Sequence, residues 1–370
     1  MIKTDFVSLT HEIGPGFAER AAQHDADDTF VSENYEELKK HRFFSAAVPA
    51  ELGGGDASHA ELAEMLRIMA HYCSSTALAF SMHTHQVAVP AWRWRNQGAP
   101  VDGLLQRIAD EQLVLVSTGG ADWLDGSGDA VRVDGGFKVN AHKVFASGVP
   151  AGDILLTMAR HEDPAEGTVV LHFPLPLSTP GVKVMDNWKA LGMRGTGSHD
   201  VVIDGVFVPE GSIASQRPAG KWVLPFHIVA SQALPLICAV YVGIAEKARN
   251  LAWERAAGKR NDTDVQLLAG ETENELRTAQ IALDCMLELV ATSEPGPEMT
   301  NEVLIRRTLL GNAAIRTVEK AMELAGGAAY FRSAGLERLF RDVQAARYHP
   351  LHEKRQLLHT GRYALGLPVD

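Results

Sequence analysis

"NWKALGMRGTGSHDVVIDGVFVPEG", residues 187–211, changes character at its middle. The first half is built of glycine and small polar residues from Gly192 to Ser198, and the second half alternates in the manner of a strand. A segment of this kind can present backbone N–H groups and hydroxyls to whatever lies against it. It is not a phosphate loop of the usual kind, because no Gly-Lys-Ser/Thr follows and the next element is a strand rather than a helix.

Upstream the period of two continues. "GGFKVNAHKVFAS" sets Phe137 and Val139 on one face, and "DILLTMAR", "TVVLHFPLP", "GVKVMD" and "HDVVIDGVFVP" are short β-rich runs parted by Gly, Pro and Asp. That pattern predicts a small antiparallel sandwich or barrel over residues 113–212. On either side the period lengthens. Residues 1–112 read as helical, with one helix starting at a cap on Ser32 and stopping before Pro49, and a buried helix pair over 58–92. Over 213–370, Leu276, Ala279, Leu283, Met286 and Val290 recur at spacings of three and four, as do Leu310, Ala314, Val318 and Met322 in a helix that Thr300 is expected to cap. "LPLICAVYVGIA", residues 234–245, is apolar all round and predicts a central helix or subunit interface. The fold class is therefore α+β: helical domain, β domain, helical bundle.

Composition narrows the partners. A net charge of −11 argues against a broad nucleic-acid footprint. No run approaches the roughly 20 apolar residues needed to cross a membrane, and the N-terminus lacks an apolar signal core, so a cytoplasmic location is expected. Cys73, Cys238 and Cys285 are too scattered for a metal knuckle and are expected to be buried, reduced thiols. No metal site is expected from the histidines, since His83 and His85 lack a third ligand nearby in sequence.

Four segments carry more specific information: "VPAELGGGDASHAELAE", "KVFASGVPAGDILLTMA", "LGMRGTGSHDVVIDGVFVPEG" and "AGGAAYFRSAGLERLFRDVQA". In that order they resemble the acyl-CoA dehydrogenase superfamily across nearly the whole chain. The resemblance implies a flavin held between the β domain and the C-terminal bundle, in a homotetramer. Dehydrogenases of this superfamily need a carboxylate over the flavin to remove a proton. Here the position matching their glutamate is Ser333, and residues 211–245, where relatives place an alternative base, contain no Asp or Glu. The departures resemble instead the two-component flavin-dependent monooxygenases of the dibenzothiophene and hydroxyphenylacetate type.

That resemblance implies a set of roles. The oxygenase takes reduced flavin from a separate reductase and reacts with O2 through a C4a-hydroperoxide on a small organic substrate. No Gly-x-Gly-x-x-Gly opens a helix after a strand, so no nicotinamide site of its own is expected. Ser147 would bond the flavin near its reactive nitrogen, Phe145 would stack on the ring, and Ser117 and Thr118 would meet its pyrimidine side. His349, in "RYHPLH", matches a histidine near the flavin; with an ordinary pKa of about 6.5 it could donate or accept. A His pair two apart on a helix cannot share one face, so at most one of His83 and His85 points into the cleft, and His85 is the choice. Arg255 survives from the flavin-clamping element of the dehydrogenases, but its partner phenylalanine is missing from "ERAAGKR", and Glu323 stands where they carry a glutamine. An acid there would repel a pyrophosphate, which favours FMN, with FAD still possible. Two other readings stay open: a dehydrogenase or oxidase with a non-standard base, and a non-catalytic flavin-binding relative.

Overall fold

The computed structural model describes residues 4–120 and 122–369. Five helices open the chain: α1 (Phe6–Asp27), α2 (Ser32–Lys40), α3 (His59–Tyr72), α4 (Ser74–Gln97) and α5 (Asp102–Glu111). Ser58 and Glu61 start α3 with reciprocal side-chain-to-backbone bonds, which satisfy two of the free N–H groups at a helix start. Ser32 is not the cap of α2: Val31 holds that position, and the helix ends at Lys40, well before Pro49. Beyond it Arg42 takes a left-handed backbone and two 3-10 turns follow.

The strands are β1 (Leu115–Ser117), β2 (Asp129–Val133), β3 (Gly136–Lys143), β4 (Ile154–Asp163), β5 (Gly167–Pro176), β6 (Val182–Val184), β7 (Val201–Pro209) and β8 (Ser215–Pro218). They form one sheet in the order β6-β7-β3-β2-β4-β5-β8, with β1 beside β4. The neighbours along this order are antiparallel except β2 and β4, and β1 also runs parallel to β4. The sheet continues through β8 to Pro218. Its inner face packs Phe137, Val139, Leu155, Val169, Leu171, Phe173, Ile203 and Val208 into a core of its own.

The C-terminal helices are α6 (Leu224–Ala256), α7 (Thr263–Thr292), α8 (Pro297–Ala325), α9 (Leu336–Val343) and α10 (Glu353–Ala364). Gly296 and Pro297 start α8, whereas Thr300 lies inside it and its hydroxyl pairs with His227 Nδ1 at 2.8 Å. By length and hydropathy α6 is apolar enough to cross a membrane, which the sequence reading did not anticipate; 94% of its most apolar window is buried within the protein. It is the central helix, packed against α3, α4, α7 and α8. Cys73 and Cys238 are buried as expected, but Cys285 is exposed on α7.

The glycine-rich half of residues 187–211 is a junction between all three zones. Asp342, at the end of α9, is fully buried and its carboxylate accepts from Met193 N–H and Ser74 Oγ–H, both at 2.5 Å. Its neighbour Arg341 donates to both carboxylate oxygens of Asp25 on α1, at 2.8 and 2.6 Å, and to Leu191 O. A side chain at Gly192 would place its Cβ 2.3 Å from Arg341 O, so only glycine allows this approach. Arg194 is also structural: Nε donates to Ala190 O at 3.0 Å and faces Asp28.

Candidate active site

Where the three zones meet, a cavity of about 850 Å³ opens. Leu78, Met82 and His85 of α4 wall one side. The end of β1, the turn after β3 and the 188–198 segment form another, and α6 from Phe226 to Ile237 and residues 344–350 close it. Most of this wall is apolar.

Of the residues singled out from sequence, Ser117, Thr118, Phe145, Ser147, His85 and His349 all line this cavity. Arg255 does not; it is exposed on the last turn of α6, and Ser333 and Glu323 are also exposed outside the cavity lining. His83 is turned away. It accepts from Leu115 N–H at Nδ1 (3.0 Å) and faces Phe44 O from Nε2 (2.8 Å), so it ties β1 to the N-terminal domain.

The hydroxyls form a chain with a definite direction. Thr196 Oγ1–H donates to Met193 O at 2.8 Å. Its contact with Ser198 Oγ, at 2.6 Å, must then be donated by Ser198, and the 2.8 Å contact between Ser198 and Ser147 must be donated by Ser147. Ser147 thus spends its hydrogen inward and keeps lone pairs for the cavity. On the neighbouring strand, Thr118 Oγ1 donates to Thr157 Oγ1 at 2.7 Å. Phe145 adopts φ +60°, a conformation few non-glycine residues take, and its ring is more than half exposed, set edge-on to Trp188 at 6.1 Å. Its ring is therefore presented at the cavity instead of being packed in the β core.

The imidazoles are neutral at physiological pH. Burial holds His85 down to about 4, although the hydrogen bond from its Nδ1 to Ser81 O (3.1 Å) works against this. Burial, with the nearby Arg307 charge and His85, holds His349 down to about 3. The expectation of an ordinary pKa for His349 is thus overturned: desolvation removes the proton-carrying form and leaves a neutral ring that still donates from one nitrogen. Its ring nitrogens have no protein partner among the described residues, and the ring lies edge-on to Tyr241 at 5.6 Å. Arg307 reaches only its backbone, donating to His349 O at 2.7 Å.

Sequence reasoning missed His172, Trp123, Trp188 and Phe226, which also line the cavity. The aromatic trio carries no motif; His172 was signalled only by a polar residue interrupting the apolar run "TVVLHFPLP". No group of three or more His, Cys, Asp or Glu able to hold a metal occurs among the described residues.

The family comparisons agree with this architecture. The acyl-CoA dehydrogenase N-terminal, middle and C-terminal domains match residues 13–97, 117–206 and 235–354 in order. The chain belongs to the acyl-CoA dehydrogenase superfamily. Among relatives, L-evernosamine nitrososynthase of a Micromonospora species is 28% identical, covering 98% of this chain and 90% of its own length. YdbM of Bacillus subtilis, provisionally named an acyl-CoA dehydrogenase, is 27% identical over 91% of both chains. The solved structure of KijD3 in complex with FMN and dTDP-3-amino-2,3,6-trideoxy-4-keto-3-methyl-D-glucose has a TM-score of 0.88 at 26% identity, covering 98% of this chain and 93% of that one. Within the superfamily this chain is a flavin-dependent oxidoreductase.

Proposed function

We propose that the chain is the oxygenase component of a two-component flavin monooxygenase, using reduced FMN and O2 to oxidise a small organic substrate. One observation carries the choice: among the described residues, no Asp, Glu, Lys or Arg lines the cavity. Abstraction of an α-proton from a thioester needs a carboxylate base close to the reacting carbon. The position where dehydrogenases carry it, Ser333, is exposed elsewhere. What the cavity offers is neutral imidazoles, hydroxyls and apolar walls.

These residues fit a flavin ring. Gly119 and Gly120 leave the backbone bare beside Ser117 and Thr118, and a Cβ at Gly120 would meet nothing within 4 Å. Ser117, Thr118 and Ser147 would hold the ring's polar edge, and Phe145 would cover it. When bound, reduced flavin supplies the activation of dioxygen. The chain's own task is to keep water out and to offer hydrogen bonds to the oxygen transferred. Leu78, Met82, Val229 and Ile237 do the first; His349 faces the same space and does the second, while His85, whose one hydrogen goes to Ser81 O and whose Nε2 accepts from Gln86, helps only to wall the cavity. The uncharged lining also suits an amine substrate. A nitrogen must be unprotonated to be oxidised, and an ammonium ion would find no carboxylate here. Similarity to a nitrososynthase and to KijD3 supports this class.

The test supplies FMN and a separate NADH-dependent flavin reductase, and measures oxygen uptake and hydrogen peroxide with a panel of amines and amino sugars. Substrate-dependent diversion of oxygen from peroxide into product is expected. Anaerobic bleaching of the oxidised flavin by any acyl-CoA would overturn the proposal in favour of dehydrogenation.

A further inference from the structure

Along β5, Val169, Leu171, Phe173 and Leu175 point into the core of the sheet. Alternation turns His172 to the other face, where it lines the cavity. One partner orients its ring: Arg217 Nε–H donates to His172 Nε2 at 3.1 Å. An arginine only donates, so Nε2 must be the bare acceptor nitrogen and the ring's single hydrogen lies on Nδ1. Burial, together with the Arg217 charge, holds the imidazole down to about 4 and keeps it in this neutral form. No protein acceptor among the described residues takes the Nδ1 hydrogen.

Arg217 is itself buried. Its other N–H groups are spent on the carbonyls of Trp123, Leu124 and Pro218 and on the Met158 sulfur, and its guanidinium lies 4.3 Å from the centre of the Phe226 ring. Burial lowers it to about 10, which leaves it charged at neutral pH. Among the described residues no carboxylate forms a salt bridge with it: Asp122 and Asp125 lie close enough to favour its charge, but Asp122 is paired with Lys143 Nζ at 3.0 Å. A buried cation without a salt-bridged counter-charge favours a further anion nearby, and the one free donor it orients belongs to a residue that lines the cavity.

We propose that His172 Nδ1–H, backed by the Arg217 charge, receives an anionic oxygen of phosphate or carboxylate type on the molecule that fills the cavity. This rests on the reading of the cavity as the flavin and substrate site. The anion has two sources, the 5′-phosphate of FMN or an acidic group on the substrate, and the experiment separates them.

Reduced FMN and reduced riboflavin are titrated under nitrogen into wild type, His172→Phe and His172→Gln by calorimetry; inorganic phosphate and acetate are then titrated into the FMN-saturated proteins. Glutamine can accept from Arg217 through its oxygen and donate through its amide, so it should behave nearly as wild type, whereas phenylalanine should not. If the flavin phosphate is the ligand, His172→Phe lowers the FMN-to-riboflavin affinity ratio about tenfold or more, about 1.4 kcal/mol. If the substrate carries the anion, that ratio stays fixed, and wild type takes up phosphate or acetate with Kd below about 10 mM while His172→Phe does not. A wild type that binds FMN no better than riboflavin and takes neither anion overturns the proposal without any variant. So does His172→Phe behaving as wild type in both titrations. Failure of wild type to bind any flavin would instead refute the reading of the cavity, and the phosphate and acetate titrations, then run on the flavin-free protein, still decide the anion site.

Discussion

His349→Gln tests whether the cavity is as dry as its lining implies. In the folded protein burial and Arg307 hold this imidazole near 3; in the unfolded chain it titrates near 6.5. Between these values the unfolded state binds the extra proton, so stability falls as pH drops through this window. Free in the unfolded chain, an imidazole with pKa about 6.5 gains about 2 kcal/mol from protonation at about pH 5, while one held near 3 gains almost nothing. Glutamine keeps a neutral polar side chain and removes this titration. Urea unfolding of both proteins at about pH 7.5 and about pH 5, at one protein concentration, isolates the difference, because His85 and His172 contribute alike to both. Wild type should lose about 2 kcal/mol more than the variant over that interval. A difference below about 0.5 kcal/mol would mean that His349 is solvated and titrates normally, and the argument from a water-excluding cavity would fail with it.

His349→Ala should leave FMN binding nearly intact while diverting oxygen to hydrogen peroxide, with product formation down by a factor that reflects about 3 kcal/mol; coupling equal to wild type would remove His349 from the site. Gly192→Ala forces a Cβ to within 2.3 Å of Arg341 O and should cost roughly 2–4 kcal/mol, seen as a lowered melting temperature; an unchanged melt would show that the clamp is not tight. Tyr241 carries a buried hydroxyl without a hydrogen-bond partner among the described residues, so Tyr241→Phe should be neutral or stabilising by up to about 1 kcal/mol. A loss above about 2 kcal/mol in urea unfolding would reveal an acceptor for that hydroxyl, such as a water in the small void beside it.

The layered α-β-α order was legible because periodicity is a property of neighbours in sequence. Leu276, Ala279, Leu283 and Met286 are buried on one face of α7, and Phe137 and Val139 point into the β core. Caps were less legible: Ser32 and Thr300 have the right chemistry for starting helices, but tertiary contacts recruit Thr300 to His227, and Pro297 supplies the preset backbone that starts α8. In the cavity, motif register located Ser147, Phe145 and His349, which lie within a few residues of segments that could be matched. It could not locate His172 or Trp123, which lie outside any matched motif, nor could it give the protonation of His349, which depends on burial by α6 and α8. Arg255 shows the converse: a matched residue that the fold leaves at the surface, outside the cavity.

The hydroxyl chain from Ser147 through Ser198 and Thr196 to Met193 O is a one-way wire, and its polarity has a redox meaning. A serine that has already given away its hydrogen welcomes an N–H and repels a lone pair. Reduction of a flavin puts a hydrogen on the very ring nitrogen that is bare when oxidised. In the reading proposed above, the wire therefore makes the site a one-sided receptor, which takes up the electron-rich cofactor and releases the spent one. Ser198→Ala would leave the Ser147 hydrogen free to turn outward, and the ratio of reduced to oxidised FMN affinity should then fall; an unchanged ratio would break this link between a line of hydroxyls and the direction of turnover.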